Sequence, residues 1–256
     1  MKTRLLILLA IAISLFGGVA FFQAYWLSRP EGSGPAGPAV DRAVFVKVWT
    51  TRPVLLLGLG DSITAGFGAT TADYSYFRRL ASNPPDEWSD MRGICLKAVL
   101  PNFRAEDLAR SGSTSLDHLK YQVDRLPRSD ANTFGIVVMT TGGNDIIHDY
   151  GRSAPREGAM YGASLEQARP WIANYESRLD AMLRHIRANF PGGCAVFLGN
   201  IYDPADGVGL VWSAGMPAWK DGLKIVAAYN EIIARCARRY GWVHLVDLHA
   251  AFMGHG

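Results

Sequence analysis

The sequence predicts an α/β protein, a parallel five-stranded sheet covered by helices on both faces. Three observations predict it. Short apolar runs at 53–59 (PVLLLGL), 134–143 (FGIVVMTTGG) and 194–200 (CAVFLGN) read as strands buried on both sides. Helical patterns separate these runs, which is the alternation of a parallel sheet. The runs also end on glycines and small polar residues, and open sheets bind ligands at the carboxyl ends of their strands.

Taken in order, the first strand is 53–59, bounded by Pro53 and Gly60. SYFRRLAS (75–82) starts a helix, and a loop with Pro84, Pro85 and Trp88 comes next. Residues 104–110 are a less regular strand before SGSTS. Leu116, Leu119, Val123 and Leu126 recur at helical spacing over 115–126. After the strand at 134–143 comes a long amphipathic helix over 170–190, with Pro170 in its first turn and Pro191-Gly192-Gly193 as its stop. The strand at 194–200, a helix at 223–240 and a last strand at 242–248 (WVHLVDL) complete the set.

The chain has 256 residues, 49% of them apolar and 19% charged, which suits one sizeable folded domain. A net charge of +3, with no basic cluster interleaved with aromatics, excludes a nucleic-acid partner. Cys95, Cys194 and Cys236 have neither zinc spacing nor the density of a disulfide framework, so at most one pair bridges. At the N-terminus, Lys2 and Arg4 precede an uncharged apolar run over 5–22, then Tyr25, Trp26 and Arg29. The run is long enough for an uncleaved membrane anchor over 1–28, with the domain outside the cytoplasm. The rival is a signal peptide cleaved near Gly18-Val19-Ala20, giving a secreted or periplasmic protein. No cysteine lies near its end, which excludes a lipoprotein attachment there. The Gly/Pro-rich stretch 29–40 reads as a linker, and 41–256 as the domain.

Three strand ends carry candidate chemistry. Ser62, in LGLGDSIT, is a hydroxyl at a strand-to-loop turn and a candidate nucleophile, unless Asp61 or Ser62 simply caps the next helix. Gly112, in RSGSTS, lets a backbone N–H approach a substrate, unless it is an ordinary loop glycine. Asn144, in TTGGNDI, offers an amide donor to an oxyanion, or else is a turn residue bonding its own backbone, with Asp145 capping the next segment. Ile63 stands where a dinucleotide fingerprint needs glycine, no lysine completes a phosphate loop, and Thr64 breaks the nucleophile elbow.

Together, GLGDSIT, RSGSTS and TTGGNDI resemble three of the four sequence blocks of the GDSL, or SGNH, hydrolase family. The resemblance implies a flavodoxin-like three-layer α/β/α sandwich. It also implies a serine esterase acting on acyl lipids or acetylated carbohydrates, without metal or organic cofactor, and the N-terminal segment would export it. Ser62 would be the nucleophile, and its N–H, the Gly112 N–H and the Asn144 side chain the oxyanion hole.

The fourth block of the family, Asp-x-x-His followed by Pro, is absent from VHLVDLHAAFMGHG. Asp247 and His249 share a face if the strand continues, but at the wrong spacing, and His249 reads as a strand-end residue rather than the base. His255 fits less well, and His118, His148, His185 and His244 carry no adjacent carboxylate pattern. The chain is expected to be a fragment ending before that block. The alternatives are a non-catalytic SGNH-like surface binding domain and a flavodoxin-like nucleotide binder. Asp203, Asp206 and Gly207 read as a turn, Trp212 and Trp219 as pocket lining or packing, and 149–167 as a lid or a surface excursion.

Overall fold

The structure, a computed structural model, describes residues 2–23, 39–207 and 216–254. Five strands form one all-parallel sheet: β1 (Val54–Gly60), β2 (Phe103–Asp107), β3 (Phe134–Thr140), β4 (Cys194–Gly199) and β5 (Val243–Val246). Their spatial order is β2-β1-β3-β4-β5, the flavodoxin-like order. The helices are α1 (Lys2–Phe21), α2 (Ser62–Ala65), α3 (Tyr76–Ala81), α4 (Leu96–Val99), α5 (Ser115–Asp117), α6 (Gly143–Ile147), α7 (Leu165–Asn189), α8 (Gly222–Arg239) and α9 (Leu248–Phe252).

All seven residues of β1 are buried, and their alternation divides the interior in two. Leu55, Leu57 and Leu59 pack with Tyr175, Leu179 and Leu183 of α7 and Ile225 and Tyr229 of α8. Val54 and Leu56 face the other way, onto Phe77 of α3 and Leu96 and Val99 of α4. Each fully buried side chain of this size contributes roughly 1.5–3 kcal/mol relative to an exposed one. The sheet is thus the middle of three layers.

The strand order also sets where a site can form. From β1 the chain crosses to β2 on one side, whereas from β3 it crosses to β4 on the other. The carboxyl ends of β1 and β3 therefore flank the switch point of the sheet. Ser62 comes two residues after the end of β1, and Asn144 lies just past β3.

Several elements depart from the sequence reading. The long helix begins at Leu165, because Ser164 and Gln167 form a capping box (Ser164 N–H to Gln167 Oε1, 2.9 Å). Pro170 therefore lies in its second turn. Helix 115–126 is wound unevenly, with α5 leading into a π-helical turn at His118–Gln122 and a 3-10 turn at Val123–Arg125. β5 stops at Val246, and Asp247 caps α9 by accepting from Ala250 N–H (3.0 Å), so His249 sits on a helix rather than at a strand end. Cys95, Cys194 and Cys236 are all buried and free.

At the N-terminus, α1 exposes its apolar side chains. Among the described residues no helix is long and apolar enough to cross a membrane, so the anchor expected over 1–28 is not borne out. Most of the linker at 29–40 lies outside the described residues.

Candidate active site

The turn after β1 begins at Gly60. Its φ is +116°, and a Cβ there would lie 1.9 Å from the Thr140 carbonyl oxygen, so β1 and β3 close on each other only because this residue has no side chain. Asp61 then caps α2, its Oδ1 accepting from Ile63 N–H at 3.1 Å. The cap reading holds for Asp61, while Ser62 becomes the first residue of α2. Burial raises the Asp61 pKa, opposed by the hydrogen bond from Thr140 Oγ1 (2.7 Å). Thr140 Oγ1 meets Thr64 Oγ1 (2.9 Å), which meets Tyr76 Oη (2.8 Å), and burial pushes that phenol up to about 12.

Asn144 lies in the first turn of α6, after Gly142 at φ +94°. Its Nδ2 donates to Ser113 O at 2.9 Å rather than to its own backbone. One amide proton is thus used, and the other is available to a ligand. Ser62 and Asn144 line one cleft at the switch point, with Ile147, Ile201, Tyr202, Val226 and Leu248 supplying apolar walls. Gly112 does not line this cleft itself, but its neighbour Ser113 is the group that Asn144 holds. Gly112 has φ +80°, and no heavy atom lies within 4 Å of where a Cβ would project. Backbone conformation, not crowding within the chain, calls for glycine there.

Asp145 does not cap its own helix. Its carboxylate reaches back to α5, accepting from Ser115 N–H (2.7 Å) and Ser115 Oγ (2.5 Å). Arg178 of α7 supports the pair, with Nε on Ser115 Oγ (2.9 Å), Nη2 3.5 Å from Asp145 Oδ1 and Nη1 on Glu157. Asp145 is fully buried and its pKa is raised by that burial, against the pull of Ser115 and Arg178.

The histidines fall elsewhere. His249 Nδ1 lies 3.0 Å from Ile201 O, and its N–H donates to Asn200 Oδ1. Asp247 is occupied by Ala250 N–H and Asn200 Nδ2 (2.7 Å), which hold its carboxyl below the usual range. Asp247 and His249 thus serve α9 and the β4 loop separately. His185 pairs with Asp124 at 3.2 Å, a partnership between two helical segments that local sequence does not reveal. His244 packs on Phe197 (ring centroids 5.2 Å apart), and His148 opens the turn His148–Gly151. Among the described residues no histidine lines the cleft beside Ser62; His255 lies outside them.

His118 is a residue that the sequence reading passes over. It is fully buried, with Nε2 2.9 Å from Ser113 Oγ and Nδ1 2.8 Å from Thr141 Oγ1. Desolvation lowers its pKa to about 4, so the ring is neutral at physiological pH.

The remaining candidates are structural. Asp203 accepts from Ala205 N–H and Gly207 N–H (both 2.8 Å), which makes the expected turn. Trp219 donates to Ala163 O (2.7 Å) and packs on Tyr161, while Trp212 lies outside the described residues. In the excursion after α6, Asp149 and Tyr150 both adopt positive φ (61° and 50°), and Asp149 holds Ser153 Oγ (2.6 Å) and Arg156 Nη1 (2.5 Å).

Over residues 59–256 the sequence matches the GDSL-like Lipase/Acylhydrolase family. Solved structures of the same fold include a catalytic mutant of an acetylxylan esterase from Geobacillus stearothermophilus (18% identity, TM-score 0.50, covering 79% of this chain and 80% of that one). A lipase from a goat rumen metagenome is also similar (17% identity, TM-score 0.50, 79% and 84% covered). No curated protein matches the chain. With more than half of its length matched, the chain belongs to the GDSL-like lipase/acylhydrolase family of ester-hydrolysing enzymes.

Proposed function

We infer that the chain is an exported serine carboxylesterase with Ser62 as nucleophile. Ser62 Oγ attacks the ester carbonyl, and the oxygen that gains charge is received by the N–H groups of Ser62 and Gly112 and the free amide proton of Asn144. The Ser62 proton passes to the departing oxygen, which leaves as the alcohol. Water then adds to the acyl group, the acid is released and a proton returns to Ser62 Oγ. The observation that carries this reading is the single cleft in which Ser62 and Asn144 meet, with Asn144 Nδ2 tied to the Gly112 loop through Ser113 O. The apolar walls at Ile147, Ile201, Val226 and Leu248 suit the acyl part of a lipid or an acetylated carbohydrate. Export rests on Lys2 and Arg4 ahead of the apolar run at 5–22, and the domain on 41–256.

The test is hydrolysis of p-nitrophenyl esters by the full chain and by Ser62→Ala. Turnover by the first and none by the second supports the esterase. One observation favours a second reading, a surface domain that binds acylated ligands without cleaving them: no described histidine lines the cleft beside Ser62. That reading predicts ligand binding with no turnover in either protein.

A further inference from the structure

The last residue of β1 lies past the end of its register with β2. Pairing with β2 stops at Gly58–Asp107, whereas pairing with β3 continues to Gly60–Thr140. The chain beyond β2 still reaches this residue through Arg110 N–H, which donates to Gly60 O at 3.0 Å, but the partner of Gly60 N–H is the Gln122 side chain. Its Oε1 accepts from Gly60 N–H at 2.7 Å, and its Nε2 donates to Gly60 O at 2.8 Å. One carboxamide therefore bonds both backbone groups of the residue two positions before Ser62, sharing Gly60 O with Arg110 N–H and Ser113 Oγ.

Gln122 is 2% exposed and ends the π-helical turn His118–Gln122. Such turns are uncommon and concentrate at functional sites. The wider winding puts His118 and Gln122, four residues apart, to work on one buried set of groups. Ser113 Oγ has one proton, directed at Arg110 O (2.7 Å) or Gly60 O (3.0 Å), so His118 Nε2–H donates to it. His118 Nδ1 then accepts from the Thr141 hydroxyl. One turn of helix thus reaches the loop ends after β1, β2 and β3, which carry Ser62, Gly112 and Asn144.

We propose that Gln122, braced by His118 through Ser113, is a positioning residue that fixes the Ser62 turn against the Gly112 and Asn144 loops. This rests on the esterase reading above. The clamp needs a donor and an acceptor on the same side chain, in fixed order. Displacements near 1 Å at a reacting group cost about 10²-fold in rate, so its effect belongs in kcat rather than KM.

Gln122→Glu provides the test. A neutral carboxyl reproduces the clamp, its carbonyl accepting from Gly60 N–H and its hydroxyl donating to Gly60 O. An ionised one sets a charged oxygen against Gly60 O. Burial raises the pKa of such a carboxyl, which brings its titration into an accessible range. His118, the titratable neighbour in the same hydrogen-bonded set, stays neutral above about pH 4. With p-nitrophenyl acetate, the ratio of variant to wild-type kcat is expected to rise about tenfold or more between roughly pH 8 and pH 5. KM should change by less than about threefold. Gln122→Met, which can form neither bond, should lose about tenfold in kcat at every pH, with folding confirmed by circular dichroism. A flat ratio for a folded Gln122→Glu overturns the clamp. So does wild-type kcat in Gln122→Met, which decides the matter if Gln122→Glu does not fold at neutral pH. A wild type without turnover overturns the esterase reading and the clamp with it, whereas an active wild type beside an unaffected Gln122→Met overturns the clamp alone.

Discussion

Asn144 Nδ2 donates to Ser113 O at 2.9 Å, so the side chain proposed as an oxyanion donor also ties down the loop that carries Gly112. The two duties separate by experiment. Asn144→Ala is expected to lower kcat by about 10²–10³-fold, the usual cost of removing one oxyanion donor. Loss of the bond to Ser113 O should reduce stability by only about 1 kcal/mol. Ester kinetics and urea unfolding on the same variant check both, and a fall in stability without a fall in kcat leaves Asn144 as a tie alone.

Arg178 faces a fully buried Asp145 across α7 and α6. Removing Arg178 leaves Asp145 with the two Ser115 donors and no opposite charge, and breaking a buried pair costs up to about 3–5 kcal/mol. Arg178→Met should lower the urea midpoint accordingly, and adding Asp145→Asn should recover part of the loss. A loss of unfolding free energy below about 1 kcal/mol in the single variant contradicts the assignment.

His118 sets a pH dependence whose sign is fixed by its burial. Its folded pKa is about 4 against an ordinary value of 6.5. Its contribution is therefore fully present above 6.5 and is lost as pH falls towards 4, because the unfolded chain takes up the proton first. The loss amounts to roughly 3 kcal/mol over that window. Asp61 and Asp145, with raised folded pKa values, act oppositely, losing stability as pH rises above 3.8. Comparing wild type with His118→Gln at each pH isolates the histidine. The difference between their unfolding free energies should narrow on acidification, and a constant difference contradicts a buried neutral ring.

Gly60 combines positive φ with a Cβ position 1.9 Å from Thr140 O. Backbone strain costs about 1–3 kcal/mol and overpacking a similar amount, so Gly60→Ala should destabilise by roughly 2–5 kcal/mol. Thermal unfolding of the variant measures this directly.

The sheet and the three loops were legible because their signals are local. Apolar runs ending on glycine mark β1 and β3, and Ser62, Gly112 and Asn144 each sit in a short stretch of distinctive composition. The start of α7 was also written in the sequence, in Ser164 and Gln167, but Pro170 is the more conspicuous signal and suggests a later start. Asp247 reads equally as the end of a strand or the cap of a helix. The bond to Asn200, 47 residues away, accompanies the second outcome. The supports behind the loops leave no local trace. Gln122 meets Gly60 across 62 residues, and Arg178 meets Ser115 across 63, so neither is readable without the fold.

The most direct measurement is to react the protein with a fluorophosphonate, which labels an activated serine, and to locate the adduct by peptide mass mapping. A single adduct on Ser62, absent from Ser62→Ala, is the predicted result. An adduct on another residue, or none at a concentration that labels a control esterase, contradicts Ser62 as the nucleophile.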